Sequence, residues 1–500
     1  MGSLYENDLL ELADATDKPN FDDTAFFDAA GMVYNAGGFD ASQLTTPEAR
    51  RLIAETVKQL KTAIASGVPH EVPETVRHAL ENNAFIFSGF KAFHTLREVG
   101  LSLLTDKGDI KPFETFRKDV ETVNNQYNHN YLYAEYNHAV GASLMASRWQ
   151  QIEKDGDRYD LQYRTAQDDR VREDHAILHG TTLPPSDPFW SLYLPPNGWN
   201  CRCTAVQVRK GKYPQSDPAL SMLRGNNCTE AAKQQIFRFN PGKDLQLFPP
   251  KHPYFKAPEA AKQAIEQMSE EQQRDKRIAE IIAELPDTLT DDQKKAIAEN
   301  CLEIEKALGI TKGKPMSVDD ADKQHANPNY GKERGYGINC QTCSPAYALR
   351  LMGFNVTAKS NTPGTKLEYL SRGNQLWEQW LNLDGTPAKH TSINDWMAGK
   401  KYQRMTPKRY EEFFNEICKD PGVYMLSIGW KRGGGHATIL QRFADGTLRY
   451  IEPQIDNSRG SGRNLDNLSK NGAATMHGCR GIMRVDNKLF NVAFAEIFDK

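Results

Sequence analysis

Two consecutive stretches, APEAAKQAIEQMSEEQQRDKRIAEIIAEL and DDQKKAIAENCLEIEKALGI, divide the chain between residues 257 and 310. Both are charged and Ala-rich, with side chains spaced for i,i+4 ion pairs, a pattern of solvated helices rather than of a core. A chain interrupted in this way does not close around one core. Its 500 residues, at roughly 150 per domain, predict about three units, or two with long helical connections. Residues 211–319 therefore read as an extension followed by a helical spacer, with a globular unit on either side. No fixed-period repeat is present, which excludes solenoids.

Charge and hydropathy remove further classes. The 62 basic and 65 acidic residues leave a net charge of -3, which gives no electrostatic footprint for nucleic acid. Mean hydropathy is -0.65, and no apolar run approaches the roughly 18 residues of a membrane span. The opening MGSLYENDLLELAD has neither the basic start nor the apolar stretch of a secretory signal, so the expected site of synthesis and residence is a bacterial cytoplasm. Eight cysteines are too few for a disulfide scaffold, and four fall in two close pairs, Cys201/Cys203 and Cys340/Cys343. Cys228, Cys301, Cys418 and Cys479 stand singly and read as small buried hydrophobes.

Residues 1–50, acidic and interrupted by Gly and Pro, read as an N-terminal extension. Thr46 and Glu48 then open an apolar periodicity at helical spacing, and an all-helical region follows to about residue 154. Within it Tyr127, Tyr131 and Tyr136 form an aromatic stripe, read as packing. From Tyr159 to Val208 short β-like runs alternate with Pro-rich loops, a compact cap. His175 and His179 are four apart, which on a helix stacks them on one face, and Cys201-x-Cys203 offers two more ligands for a tetrahedral zinc. Cys-x-Cys is tighter than the usual Cys-x2-Cys spacing, so the cap reads as metal-free, with the zinc set as the alternative.

The cap carries TAQDDRVREDHAILHGTTLPPSDPFW followed by LPPNGWNCRCTAV. The Asp169-Arg170 pair, the turn from His175 to Gly180, Pro195-Pro196 and Asn200-Cys201-Arg202-Cys203 together resemble the phage Mu head-morphogenesis (MuF) family over about residues 51–210. The resemblance implies a portal-proximal minor head protein whose partners are the portal and other head components. It also implies a path from host cytoplasm into the virion.

The unit from 320 to 500 contains GYGINCQTCSPAYALRLMGFNVTA. A cysteine pair opens an amphipathic segment ending at Gly353, so the thiols sit at a helix N-terminus, where the dipole and unpaired N–H groups favour thiolate. Pro345, comfortable only in a first turn, starts that helix near Thr342 or Cys343 and leaves Cys340 just before it. Ninety-six residues after Cys340 comes HATILQRFADGTLRYIEPQ, a strand, an Asp445-Gly446 turn and a returning strand. With a three-residue loop, His436 faces Gln454 and shares a sheet face with Glu452. A thiolate, an imidazole and an orienting carboxylate or amide are the set that acyl transfer requires. Either Cys340 or Cys343 serves as nucleophile in this reading, with Glu452 or Gln454 orienting His436. Backbone N–H groups at the helix start, with Asn339 or Gln341, are the candidate oxyanion donors. The Gly run at 433–435 leaves room for a substrate to approach His436.

Asn339-Cys340-x-x-Cys343, Gly435-His436 and Glu452-Pro453-Gln454, in that order, resemble the papain-fold toxin domains of the glutamine deamidase type that end many bacterial polymorphic toxins. The resemblance favours Cys340 and implies thioester hydrolysis of a glutamine side-chain amide in a target-cell protein, no cofactor, delivery to a recipient cell and a cognate immunity protein. Glu452 stands where that family commonly has Asp. A cysteine protease, a transglutaminase, or a structural head protein with an inactive papain-like decoration are the alternatives. The expected fold class is α+β and multidomain: a mostly helical N-terminal domain with a small loop and β cap, a helical spacer, and a papain-like α+β domain.

Overall fold

The computed structural model describes residues 19–68, 72–322, 326–372, 375–430, 434–455 and 476–500. It is mostly helical with small sheets, and the chain divides into two compact units, 1–274 and 275–500. The opening MGSLYENDLLELAD and Gly433 lie outside the described residues, as does the side chain of Cys479.

The first unit begins earlier than the sequence suggested. Helix α1 (Asp23–Ala36) is capped by Asp22, which accepts from Thr24 N, and ends at Gly37 in the left-handed region. Its Phe26, Ala29, Ala30 and Val33 are buried in the main core, so this stretch is part of the domain and not an extension. Helix α2 (Pro47–Gly67) has the expected start: Thr46 accepts from Ala49 N and Pro47 takes the first position. Leu52, Ile53, Val57, Leu60 and Ile64 form its buried stripe.

Helix α3 (Glu74–Leu101), helix α4 (Phe113–Asn124), a π-helical turn (Asn125–Tyr131) and helix α5 (Leu132–Asp155) complete the bundle. Tyr127, Tyr131 and Tyr136 are buried in the core. The end of α2 lies against α5 closely enough that a Cβ on Gly67 would stand 2.1 Å from Ser143 Oγ, so only glycine fits there. Between α3 and α5, Lys91 donates to Glu135, and their side chains are 1% and 0% exposed.

The cap is an antiparallel sheet in the order β2-β1-β3, from β1 (Tyr159–Arg164), β2 (Thr182–Leu183) and β3 (Thr204–Arg209). A one-turn helix α6 (Glu173–Ala176) lies between β1 and β2. Residues beyond 210 do not trail away. Helix α7 (Pro218–Cys228) follows, and Leu247, Phe248 and Tyr254 pack into the first core, with Phe248 stacked on Phe87 at 3.6 Å.

The charged, Ala-rich stretches are also more than a spacer. Helix α8 (Glu259–Glu284) gives Ala261, Ile265 and Met268 to the first core and Ile281 to the second. Helix α9 (Asp291–Leu308), opened by a Thr290/Gln293 capping box and closed by Gly309, buries Ile297, Cys301, Ile304 and Leu308 in the second core. The physical reason is stripe width: each helix keeps a narrow apolar seam beneath its charges, enough to dock on a larger element.

In the second unit, helix α10 (Cys340–Leu351) and helix α11 (Pro407–Ile417) pack on opposite faces of one antiparallel sheet. Its strands are β4 (Gly422–Trp430), β5 (Gly435–Arg442), β6 (Leu448–Ile451) and β7 (Met476–Arg484), in the order β6-β5-β4-β7. Met425, Ala437, Ile439, Ile451 and Met483 meet Ala346, Tyr347 and Leu349 of α10. Tyr424, Leu426, Ile428, Leu440 and Ile482 meet Tyr410, Phe413 and Phe414 of α11. Burial on both faces explains why VYMLSI in β4 is nearly all apolar. Among the described residues no helix is long and apolar enough to cross a membrane.

Candidate functional sites

The start of α10 decides where the thiols stand. Asn339 is its N-cap and Cys340 its first residue, so the helix begins earlier than Pro345 suggested. Pro345 has no N–H for the carbonyl of Gln341, one turn back. Gln379 Nε2 donates to that carbonyl instead, at 3.1 Å, so the helix continues through the proline. Cys340 is partly exposed, whereas Cys343 is fully buried, and burial pushes its thiol well above the usual range.

On the facing hairpin, Ile439 pairs with Ile451 and Leu440 with Tyr450, the register a three-residue loop imposes. Gly446, at φ 84°, makes the turn. Pairing stops at Ile451, so the expected ladder position of His436 opposite Gln454 does not form. Glu452 instead accepts from His436 Nε2 at 2.6 Å through Oε2, which also takes the Tyr450 hydroxyl at 2.8 Å. Gln454 donates its backbone N–H to Glu452 Oε1 at 3.3 Å and its side-chain amide to Asn339 Oδ1 at 3.4 Å. It steadies the site from behind, and the group that touches His436 is Glu452.

The Cys340 thiol donates to Gln341 Oε1 at 3.6 Å and lines the same cleft as His436. Glu452 holds Nε2, which leaves Nδ1 for the sulfur. Burial disfavours a charged ring here, but the Glu452 carboxylate and the Cys340 hydrogen bond outweigh it and push His436 up to about 10. Glu452 is held below the usual carboxylate range: burial opposes this, and the charge and hydrogen bond of His436, with the Tyr450 and Gln454 bonds, prevail.

These groups open on a cleft of about 600 Å³, lined in part by Ile338, Gln341, Ser371, Ser427 and Gly435. Both candidate oxyanion side chains are committed elsewhere. Asn339 Nδ2 donates to Asn327 Oδ1 and Lys359 O, and Gln341 Nε2 donates to Leu367 O and Ser371 Oγ. The backbone N–H groups of Cys340 and Gln341, which no helix can use internally, are the donors that remain. Sequence reasoning missed Tyr450 and Asn327. Tyr450 was accessible to it, since position 450 shares a strand face with 452; Asn327, which donates to Asn339 Oδ1 and Gln454 O from a loop, has no such signal.

In the cap, the structure brings together His175, Cys201 and Cys203 but not His179. Cys201 Sγ lies 3.4 Å and Cys203 Sγ 3.6 Å from His175 Nδ1. Helix α6 ends at Ala176, so His179 leaves that face, and its Nδ1 accepts from Thr165 N at 3.2 Å. Burial opposes charge on His175, yet the Cys201 sulfur, with a further bond from Cys228, pushes it up to about 10. Hydrogen bonding from Cys203 and the charge of His175 hold Cys201 well below the usual thiol range against its burial. Of the motif's acids, Asp168 rather than Asp169 is engaged, accepting two bonds of 2.6 Å from Arg202.

Residues 111–206, which contain this cap, match the family described as Phage Mu protein F like protein. Protein F of Escherichia phage Mu, named for capsid assembly, is 28% identical over 197 residues, 39% of this chain and 41% of that protein. The Mu-like prophage FluMu F protein of Haemophilus influenzae is 36% identical over 80 residues, 15% of this chain and 19% of its own. The chain thus spans about two fifths or less of the length of the curated relatives it matches. No solved structure matches. The middle of the chain, residues 111–206, is a phage Mu F-like head-morphogenesis domain.

Proposed function

We propose that this chain is a phage or prophage minor head protein whose second unit is a papain-like, cysteine-dependent acyl-transfer effector. Likeness to the Mu and FluMu F proteins supports the head role, with the portal and other head components as partners and a path from host cytoplasm to virion. One observation carries the effector reading: Cys340 opens a helix beside His436, which Glu452 holds from its other nitrogen, on the wall of a large cleft.

In the proposed reaction the Cys340 thiolate attacks the side-chain amide carbon of a protein glutamine, and the oxygen takes the displaced electron pair between the N–H groups of Cys340 and Gln341. Collapse breaks the C–N bond as His436 gives its proton to the departing ammonia. Water, deprotonated by His436, then attacks the thioester; the thiolate leaves and a glutamate side chain remains. The target is a protein of a recipient cell, and a producer of such an effector needs an immunity protein.

Incubation of the full chain with a protein mixture tests this. Ammonia release without new peptide termini is expected. New termini identify a protease, incorporation of an added amine identifies a transglutaminase, and silence in every assay leaves an inactive decoration.

The same geometry fixes a pH response. Because the folded His436 titrates above its ordinary 6.5, its contribution to stability is complete below that value and is lost as pH rises through about 10. Glu452 is shifted down, so its contribution is present above its ordinary 4.5 and is lost as pH falls through its lower folded value. An NMR titration of the His436 ring is expected to centre near 10 and, in Glu452→Gln, to move down toward 6.5. An unmoved midpoint in that variant rules out Glu452 as the orienting group.

A further inference from the structure

The cap holds a second cluster that the proposed chemistry does not use. His175, Cys201 and Cys203 are all buried, and their ligand atoms lie within 4.8 Å of one another. The two sulfurs stand 3.4 and 3.6 Å from the same ring nitrogen. Zinc bonds of about 2.0–2.1 Å to nitrogen and 2.3 Å to sulfur, at a tetrahedral angle, place those atoms about 3.5 Å apart. The two nitrogen-to-sulfur edges therefore already have the length of a zinc tetrahedron's, and the sulfur-to-sulfur edge is no longer than 4.8 Å.

One further feature points to an ion. A cavity of about 30 Å³ lies against the same three side chains and is bordered by Arg170, Arg172 and Asn200. That is room for about one water, the fourth ligand of a site with three protein ligands.

We propose that His175 Nδ1, Cys201 Sγ and Cys203 Sγ bind a zinc ion that clamps the cap, with the fourth coordination position open to this cavity. The three ligands come from α6 and from the loop entering β3, two segments also linked by the Asp168–Arg202 pair and the bond from Arg172 to Trp199 O. A metal bond across them adds a cross-link to the cap's own core, in which Tyr163, Leu178, Phe189 and Trp190 pack with Cys201 and Cys203. His179 is excluded from the ligand set, and the Cys340 site is independent of it.

Full-length protein purified without chelator is expected to carry about one zinc per chain by mass-spectrometric metal analysis. His179→Ala and Cys340→Ala should retain it, and the double variant C201S/C203S should lose it. Because loss of the cap's fold would remove the metal from that variant too, the wild-type protein is also to be loaded with cobalt, where a thiolate-to-cobalt charge-transfer band and strong tetrahedral d–d absorption are expected. Chelator treatment should open protease cleavage between residues 165 and 203. Absence of stoichiometric zinc together with a cobalt spectrum lacking the thiolate band overturns the proposal, as does metal retained by C201S/C203S. Cleavage indifferent to the chelator overturns the clamp.

Discussion

Cys340→Ala is expected to abolish the thiol-dependent activity proposed for the second unit, a loss of about three orders of magnitude or more, as when a nucleophile is removed from a triad that acts as one machine. Cys343→Ala, by contrast, should leave activity within about tenfold, because that sulfur is buried and donates to Asn339 Oδ1 at 3.3 Å. The measurement is growth of bacteria expressing the full chain and these variants at matched soluble levels, paired with thiol alkylation at neutral pH read by peptide mass spectrometry. Alkylation should reach Cys340 first and leave Cys343 untouched in folded protein. Equal growth of wild type and Cys340→Ala, in a host that contains the target, sinks the effector reading. The reverse ranking of the two cysteines moves the nucleophile three positions along the helix.

The largest stability effect is expected far from that site. Lys91 and Glu135 are enclosed between α3 and α5, and burial alone drives the lysine below its ordinary value while the carboxylate partly restores it. Removing one partner leaves an uncompensated buried charge, so Lys91→Met should cost about 3–5 kcal/mol. Replacing both, as K91M/E135L, should recover most of that loss, since an apolar pair of similar volume needs no desolvated charge. Urea unfolding followed by hydrogen exchange on α3 and α5 reads both results. If the double variant is no more stable than the single one, the pair contributes through shape and not through charge.

Legibility in the sequence followed the range of the forces involved. Helix α2 was readable because Thr46, Pro47 and the Leu52-to-Ile64 stripe act within a few residues of one another. The hairpin register was readable for the same reason, since Asp445-Gly446 and the strand alternation are local. Asp23–Ala36 was misread because Gly31 and Gly37 look like interruptions, although Gly31 has open space around its Cα and Gly37 is merely the stop. The start of α10 was misplaced because the rule about Pro345 is local and its remedy, Gln379, arrives from outside the helix. His179 was grouped with His175 on the assumption of a longer helix, and α6 ends after one turn. The proximity of Cys340, His436 and Glu452 needed three-dimensional packing to become a distance; the sequence supplied the residue types and their order.

The partnership of Pro345 with Gln379 has a consequence for inheritance. A proline at 345 makes the Gln341 carbonyl dependent on an amide at 379, which is itself fully buried. In any descendant where 345 regains an N–H, the helix closes that bond itself and position 379 is released to drift toward an apolar residue. The two positions are therefore expected to change together across related chains, with glutamine at 379 surviving where proline does. Such paired variation would be a record of a backbone bond exchanged for a side-chain one, written at sites that never touch the substrate cleft's reacting atoms.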